Sequence, residues 1–353
     1  MKEVLTSDQS KALSLFSSWL DNDKDKSPFV LSGYAGSGKT YLSMSFLELV
    51  ETKNICWTLV APTHKAVGVL LRCLADKGLK PTWYPSTIHR LLRLKVKRKG
   101  DLEICEATEK TSNSLEQLGL VLIDESSMID STLLEIVLQC AHTFNTRLVF
   151  VGDPEQLPPV GEGSSAVFAM KRVIKSELNQ VVRHQGPVLK LASFIREGHI
   201  PSEAPPPISF IHSPKGFVGC LNSTEWLNRA KAALKEAAID ENPDAARILC
   251  YTNRSLERLV PHARRAIHGD MADQLPVLPG EVLISRMAVM APASSEGAEI
   301  GEDPDMVLGS NRELVVLDVK PEQCDLVDFG LDLNCDNSSP VINTLIAKVK
   351  TGD

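Results

Sequence analysis

Between residues 29 and 178, four short apolar runs each break into a polar or glycine-bearing turn and then into helical periodicity. The runs are Phe29-Val30-Leu31, Cys56 to Val60, Leu120 to Ile123 and Arg147 to Val151. Runs this short and this apolar suit strands buried on both faces, and helices between them suit parallel pairing. The fold class expected is α/β, a parallel sheet with helices on both sides. Ligands of such sheets gather at the carboxyl ends of the strands, and a polar motif stands at each of those ends.

The first motif is Gly33-Tyr34-Ala35-Gly36-Ser37-Gly38-Lys39-Thr40, which fits G-x-x-x-x-G-K-[ST] between a predicted strand and a predicted helix. Glycines at Gly33, Gly36 and Gly38, with Ala35 and Ser37 between them, let backbone N–H groups converge on phosphate oxygens at a helix N-terminus. Lys39 supplies a charge for the β- and γ-phosphates of ATP, and the Thr40 hydroxyl is a magnesium ligand. The second is Asp124-Glu125, two acids closing the apolar strand Leu120 to Ile123. Adjacent carboxylates repel, so a cation or a function has to hold them there. Asp124 is expected to hold Mg2+ and Glu125 to polarise the attacking water. A helix N-cap pair ahead of Ser126-Ser127 is the bland alternative. The third is Gly152-Asp153-Pro154-Glu155-Gln156-Leu157-Pro158-Pro159, in which the Gln156 amide can bond both a γ-phosphate and a water.

Bulk properties bound what surrounds this site. The chain has 353 residues, 43% hydrophobic and 24% charged, enough for two domains. Aromatics make up 5%, so the core is expected to rest on aliphatic side chains. A formal net charge of -7 argues against a protein that coats nucleic acid, though not against a local basic groove. No apolar run is long enough to cross a bilayer, and no signal-peptide pattern opens the chain. The 8 cysteines have no metal-ligand spacing, so reduced thiols and a cytoplasmic setting are expected. Leu94 to Thr108 alternates around Lys99-Gly100-Asp101 and predicts an inserted hairpin. Proline-rich Pro201 to Pro207 breaks the pattern; a helix over Glu225 to Ala238 and a strand over Ala246 to Tyr251 are expected beyond it. From about Pro276 the chain turns β-like. No repeat or heptad is visible.

The ordered motifs resemble those of superfamily 1 helicases, in the 5′-to-3′ branch that includes Dda and the RecD-like proteins. Leu5-Thr6-Ser7-Asp8-Gln9 resembles the adenine-reading Q-motif, which implies Gln9 as reader. Val60-Ala61-Pro62-Thr63-His64-Lys65-Ala66 and Ser86-Thr87-Ile88-His89 resemble motifs that contact a single strand. Asp124 to Met128 resembles motif II and Gly152 to Pro159 motif III. Leu178-Asn179-Gln180-Val181-Val182-Arg183 resembles motif IV, and Cys250-Tyr251-Thr252-Asn253 a strand-contacting segment. The likeness spans roughly residues 5 to 255.

The resemblance implies a RecA-like ATPase domain over 1–178 with a hairpin at about 94–109. A partial second RecA-like domain would cover 179–275, and the start of an accessory β-rich insertion 276–353. It implies catalytic roles for Lys39, Asp124, Glu125, Gln156 and Arg183, with single-stranded DNA on Pro62, Thr63, His64, Lys65, Thr87, His89, Thr252 and Asn253. Hydroxyls at these strand ends suit phosphate contacts that ignore sequence. Taken alone, each His is more often a cap or a packed side chain.

The basic run Arg90, Arg93, Lys95, Lys97, Arg98 and Lys99 stands where the family carries a strand-separating pin. Lys97 to Asp101 departs from the aromatic-tipped form of that pin. A T-x-H-K-x-Q-G-like segment and a final arginine-finger motif are not found, so a partner chain or a further C-terminal segment is expected to supply them. The activity implied is ATP-dependent 5′-to-3′ translocation on single-stranded DNA and unwinding at duplex junctions by a monomeric motor, with no membrane partner. The alternatives are a nucleotide-gated single-strand-binding module that does not unwind, and a P-loop kinase, against which Glu125 and the Gln156 loop speak.

Overall fold

The computed structural model describes residues 5–22, 24–99, 102–182, 186–199, 209–213, 216–242, 244–285, 289–290, 306–308, 312–325 and 341–351. The chain divides into two compact units, one of residues 1–200 with 212–217, the other of 201–211 with 218–353.

In the first unit the strands are β1 (Phe29–Gly33), β2 (Trp57–Ala61), β3 (Ser86–Thr87), β4 (Lys95–Lys99), β5 (Leu102–Glu106), β6 (Leu120–Ile123), β7 (Arg147–Gly152) and β8 (Ile174–Leu178). The helices are α1 (Ser7–Asp21), α2 (Lys39–Thr52), α3 (His64–Lys77), α4 (Ile88–Leu91), α5 (Ser131–Phe144), α6 (Ala166–Ala169) and α7 (Pro187–Arg196). The four apolar runs are β1, β2, β6 and β7, within two residues of the expected bounds. They sit in one parallel sheet of order β3-β2-β6-β7-β1-β8. Because every pair is parallel, all six carboxyl ends share one edge.

The pleat sends alternate side chains to opposite faces. Phe29, Leu31, Leu120, Leu122, Val149 and Val151 meet α1, α2 and α3 on one side. Val30, Val121, Ile123, Leu148 and Phe150 meet α4, α5 and α6 on the other. The few aromatics are concentrated rather than spread. Phe16 stacks on Phe46 with centroids 4.0 Å apart, and Phe29 meets both edge-on. Each fully buried large side chain contributes about 1.5–3 kcal/mol, so this cluster anchors α1 and α2 to β1.

The hairpin expected at Leu94 to Thr108 is β4 paired antiparallel with β5, Lys95 opposite Glu106 and Arg98 opposite Glu103. Its turn residues Gly100 and Asp101 lie outside the described residues.

The second unit holds most of the strand pair β9 (Ser209–Ser213) and β10 (Gly216–Cys220), then α8 (Ser223–Ile239), α9 (Asn253–His268) and α10 (Met271–Gln274). β11 (Val282–Ile284), β12 (Val289–Met290), β13 (Met306–Leu308), β14 (Glu313–Asp325) and β15 (Val341–Thr351) follow. β11, β14 and β15 form an antiparallel sheet, in keeping with the β-like character expected there. The strand expected over Ala246 to Tyr251 is not formed. That stretch is irregular and pairs with no strand among the described residues. An apolar run becomes a strand only where a neighbour supplies hydrogen bonds, and Leu249 and Tyr251 are exposed instead.

Candidate functional site

The loop after β1 and the start of α2 form the first wall of the site. Gly36 and Gly38 have φ of 77° and 86°, the left-handed region that favours glycine. Gly33 is required for another reason: a Cβ there would stand 2.7 Å from the Leu178 carbonyl oxygen and 2.8 Å from the Leu178 Cβ. β8 runs directly alongside, so neither atom can yield cheaply. No side chain caps the N-terminus of α2, and no acid stands in its first turn. The first N–H groups of this 14-residue helix are thus available to an anion, and the helix dipole favours one. The Ser37 hydroxyl is buried with no hydrogen-bond partner, a further polar atom turned into the loop's interior. These features fit the phosphates of a nucleotide.

Lys39 Nζ donates to the carbonyls of Gly33 at 2.8 Å and Tyr34 at 3.0 Å. Burial lowers its pKa, while Asp153, Asp124 and Glu125 oppose that shift in that order of strength. Three acids from the ends of β6 and β7 therefore converge on the lysine, although β7 lies between β1 and β6 in the sheet.

Asp124 is buried, and its Oδ1 accepts from the Glu125 N–H at 2.9 Å. Burial, and secondarily the neighbouring Glu125, push its carboxyl up to about 6. A carboxylate so placed gains from a divalent cation, and the Thr40 hydroxyl at the start of α2 is a second oxygen donor. Asp124 and Thr40 thus suit Mg2+.

Glu125 is left-handed at φ 51° and ψ 41°. A non-glycine residue in that region is held there against its own preference by its surroundings. The turn is braced next door by Ser126, whose hydroxyl donates to the Ile123 carbonyl at 2.8 Å and accepts from the Val151 N–H at 3.2 Å. The N-cap alternative fails for Glu125, whose side chain caps nothing. At Gly152 an added Cβ would approach the N–H groups of Ser126 and Ser127 at 3.1 and 3.2 Å. The glycine lets the turns after β6 and β7 pack together.

The burial of the Asp124 carboxylate has a measurable consequence for stability. Its folded pKa lies above the ordinary value of 3.8, so the folded state carries a penalty at pH 8 that vanishes once the group is protonated below about pH 4. Asp124→Asn, in nucleotide-free protein with EDTA, is expected to stabilise by about 1–3 kcal/mol at pH 8 and by well under about 1 kcal/mol at pH 4. Denaturant unfolding at the two pH values checks this; equal stability at pH 8 would mean the carboxylate is not strained by burial.

Gln156 sits in the exposed turn after β7, where its N–H donates to the Asp153 carbonyl at 3.1 Å. Gln9 is drawn into the fold itself. Its Oε1 accepts from the Thr6 N–H at 2.9 Å and its Nε2 donates to the Ser37 carbonyl at 3.1 Å. With Thr6 Oγ1 accepting from the Gln9 N–H, this is a capping box. The spacing Thr6-x-x-Gln9 carries that signal, which the comparison with an adenine-reading motif passes over. Arg183 lies outside the described residues.

The strand-contact candidates share one local geometry. Thr63, Thr87 and Thr252 are each extended and each caps a helix, accepting from Ala66, Arg90 and Ser255 N–H groups. Pro62, Thr63 and His64 are half-buried at the end of β2, Lys65 is exposed, and His89 lies half-buried on α4 after β3. Asn253 opens α9 in the second unit and is exposed. A capping hydroxyl accepts from the helix and keeps its own hydrogen to give, as a phosphate contact needs; the Thr252 hydroxyl also meets the Ser255 hydroxyl at 2.9 Å. The sheet order segregates the two sets. Motifs on β2 and β3 occupy one end, and those on β6, β7, β1 and β8 the other.

Sequence reasoning missed one ion pair, a buried carboxylate with a half-buried guanidinium. Arg196 on α7 holds Asp153 with both guanidinium nitrogens, at 2.8 and 3.1 Å, and its guanidinium carbon lies 3.8 Å from the centre of the Tyr34 ring. No local pattern marks Arg196 as the partner of a residue in a different motif.

A P-loop beside a strand-end acid pair, on a parallel sheet of this order, defines a nucleotide-binding domain. A family model described as an AAA domain matches residues 8–205, more than half of the chain. The chain belongs to that AAA-domain family, in the superfamily 1 group that includes the Dda and RecD-like helicases. It is 25% identical over 292 residues to the ATP-dependent DNA helicase dda of Enterobacteria phage T4, covering 81% of this chain and 61% of that protein. It is 36% identical over 157 residues to the uncharacterized protein R530 of Acanthamoeba polyphaga mimivirus, 40% of this chain and 31% of that one. With the ATP-dependent RecD2 DNA helicase of Deinococcus radiodurans it shares 29% over 177 residues, 49% and 22% of the two chains. The chain thus spans less than two thirds of each of these relatives. Among solved structures it is similar to Bacteroides sp Pif1 in complex with ADP-AlF4, at 17% identity and a TM-score of 0.45, over 99% of this chain and 81% of that one. Among the described residues no helix is long and apolar enough to cross a membrane.

Proposed function

We propose that this chain is the motor part of an ATP-dependent DNA helicase that moves 5′-to-3′ on single-stranded DNA. The observation that carries the reading is the convergence of Lys39, Asp124 and Glu125 at one sheet edge, with Thr-capped helix starts at the other end of the same edge. In this reading the loop from Gly33 to Thr40 binds the ATP phosphates. Thr40 and Asp124 hold Mg2+, which draws charge off the phosphates when bound. Glu125 orients the attacking water and Gln156 reports the γ-phosphate. Gln9 acts on adenine through an N–H not used on Ser37, and Arg183 supplies a cation. Pro62, Thr63, His64, Lys65, Thr87, His89, Thr252 and Asn253 contact the phosphate backbone. The hairpin of β4 and β5 stands at the duplex junction.

Support comes from the family and from the named activities of dda and RecD2. A cytoplasmic setting and a monomeric motor agree with this reading. Phosphate release with Mg-ATP, with and without single-stranded DNA, tests it. Stimulation of about tenfold or more is expected, since a strand that aligns catalytic groups lowers the barrier by 1.4 kcal/mol or more. Hydrolysis indifferent to DNA would sink it.

A further inference from the structure

We infer that Arg196 is a positioning residue that ties the Gln156-bearing turn to the phosphate-binding loop, so that nucleotide on the loop is felt by the turn through Tyr34, Arg196 and Asp153. The inference rests on the nucleotide-site reading above and deepens it.

Asp153 follows β7 directly and its side chain is 1% exposed, whereas that of Arg196 is 19% exposed. A carboxylate this deep needs a partner, and Arg196 meets it with two parallel N–H donors, the geometry that fixes both groups in one plane. Asp153 in turn shapes the turn after it. Its Oδ1 accepts from the Glu155 N–H at 3.1 Å, and its backbone carbonyl accepts from the Gln156 N–H at 3.1 Å. The guanidinium carbon also lies over the Tyr34 ring, 3.8 Å from its centre. Tyr34 belongs to the loop itself, and its carbonyl accepts from Lys39 Nζ at 3.0 Å. One planar cation therefore touches both the loop and the turn. A shift of Tyr34 or Lys39 on phosphate binding would move Arg196, and with it the carboxylate that orders Glu155 and Gln156. Lysine cannot substitute, because a point charge neither forks onto a carboxylate nor lies flat on a ring. A purely structural pair would hold the turn whether or not nucleotide is bound.

The test is hydrogen exchange of the full chain with and without Mg-bound non-hydrolysable ATP analogue, read on peptides over 33–40 and 153–160. In the wild type both segments are expected to gain protection on binding. In Arg196→Lys, and in the charge-neutral double variant Arg196→Gln with Asp153→Asn, the loop should keep its gain and the turn should lose it. The double variant leaves no buried carboxylate unpaired, and a thermal melt of each variant verifies that it is folded. Turnover should fall at least tenfold in both, with nucleotide affinity within about threefold of wild type. Protection of 153–160 that persists in the folded variants overturns the inference and leaves the ATP-site reading intact. An equal loss of protection in both segments also overturns it, since Arg196 would then support nucleotide binding itself. No binding by the wild-type chain refutes the site reading and the inference together.

Discussion

Glu125→Gln is expected to lower ATP turnover by roughly 10²- to 10⁴-fold, the range ascribed to a positioned general base, while nucleotide binding is retained. Glu125 accepts a left-handed backbone at φ 51°, at the end of a strand whose last side chains are buried. The next residue, Ser126, pins the turn through its bonds to the Ile123 carbonyl and the Val151 N–H. Strain of this kind persists where the surrounding structure over-determines it, and it aims the side chain differently from an ordinary extended or helical residue. Glutamine keeps size and polarity but cannot take a proton from water, so affinity should survive while the chemical step does not. Single-turnover phosphate release, paired with binding of a fluorescent nucleotide, separates the two. Unchanged turnover would move the base to another residue.

Lys39→Met is the second large effect. Turnover is expected to fall by about 10²- to 10³-fold, as when one preorganised donor to the transition state is removed, and here affinity should fall too. The ammonium spans the loop, bonded to the Gly33 and Tyr34 carbonyls, and it is the cation on which Asp153, Asp124 and Glu125 act. Burial depresses its pKa, so charging it in place is already unfavourable. Its removal should therefore leave the thermal midpoint near that of the wild type. Calorimetric binding of Mg-ATP with a parallel melt checks both halves. A large drop in melting temperature would mean the lysine serves the fold more than the nucleotide.

Much of this site is legible in the amino-acid order because its signals are local. The loop from Gly33 to Thr40 needs glycine at Gly36 and Gly38 for backbone reasons that operate within a few residues. The strands β1, β2, β6 and β7 are apolar throughout because both their faces are covered. The hairpin β4–β5 shows in alternation around its turn. Gln9 illustrates a partial reading. Its place next to the loop agrees with a nucleotide role, yet one Nε2 bond already goes to the Ser37 carbonyl and its Oε1 to Thr6. Ala246 to Tyr251 marks the limit, since its composition suits a strand but no neighbour takes up its hydrogen bonds among the described residues.

The sequence by itself determined the parallel α/β class, the phosphate loop and the acid pair, because backbone preference, strand length and adjacent like charges act over short spans of chain. Only the tertiary structure decided which acids act on Lys39, why Gly33 beside β8 has no room for a side chain and Gly152 little, and that Arg196 joins Asp153 to Tyr34. Those facts depend on β1 lying between β7 and β8, with β6 beyond β7, and on α7 bringing Arg196, 43 residues beyond Asp153, back to the loop. Contacts between segments so distant in the chain are fixed by packing, which leaves no periodic or compositional trace in either segment.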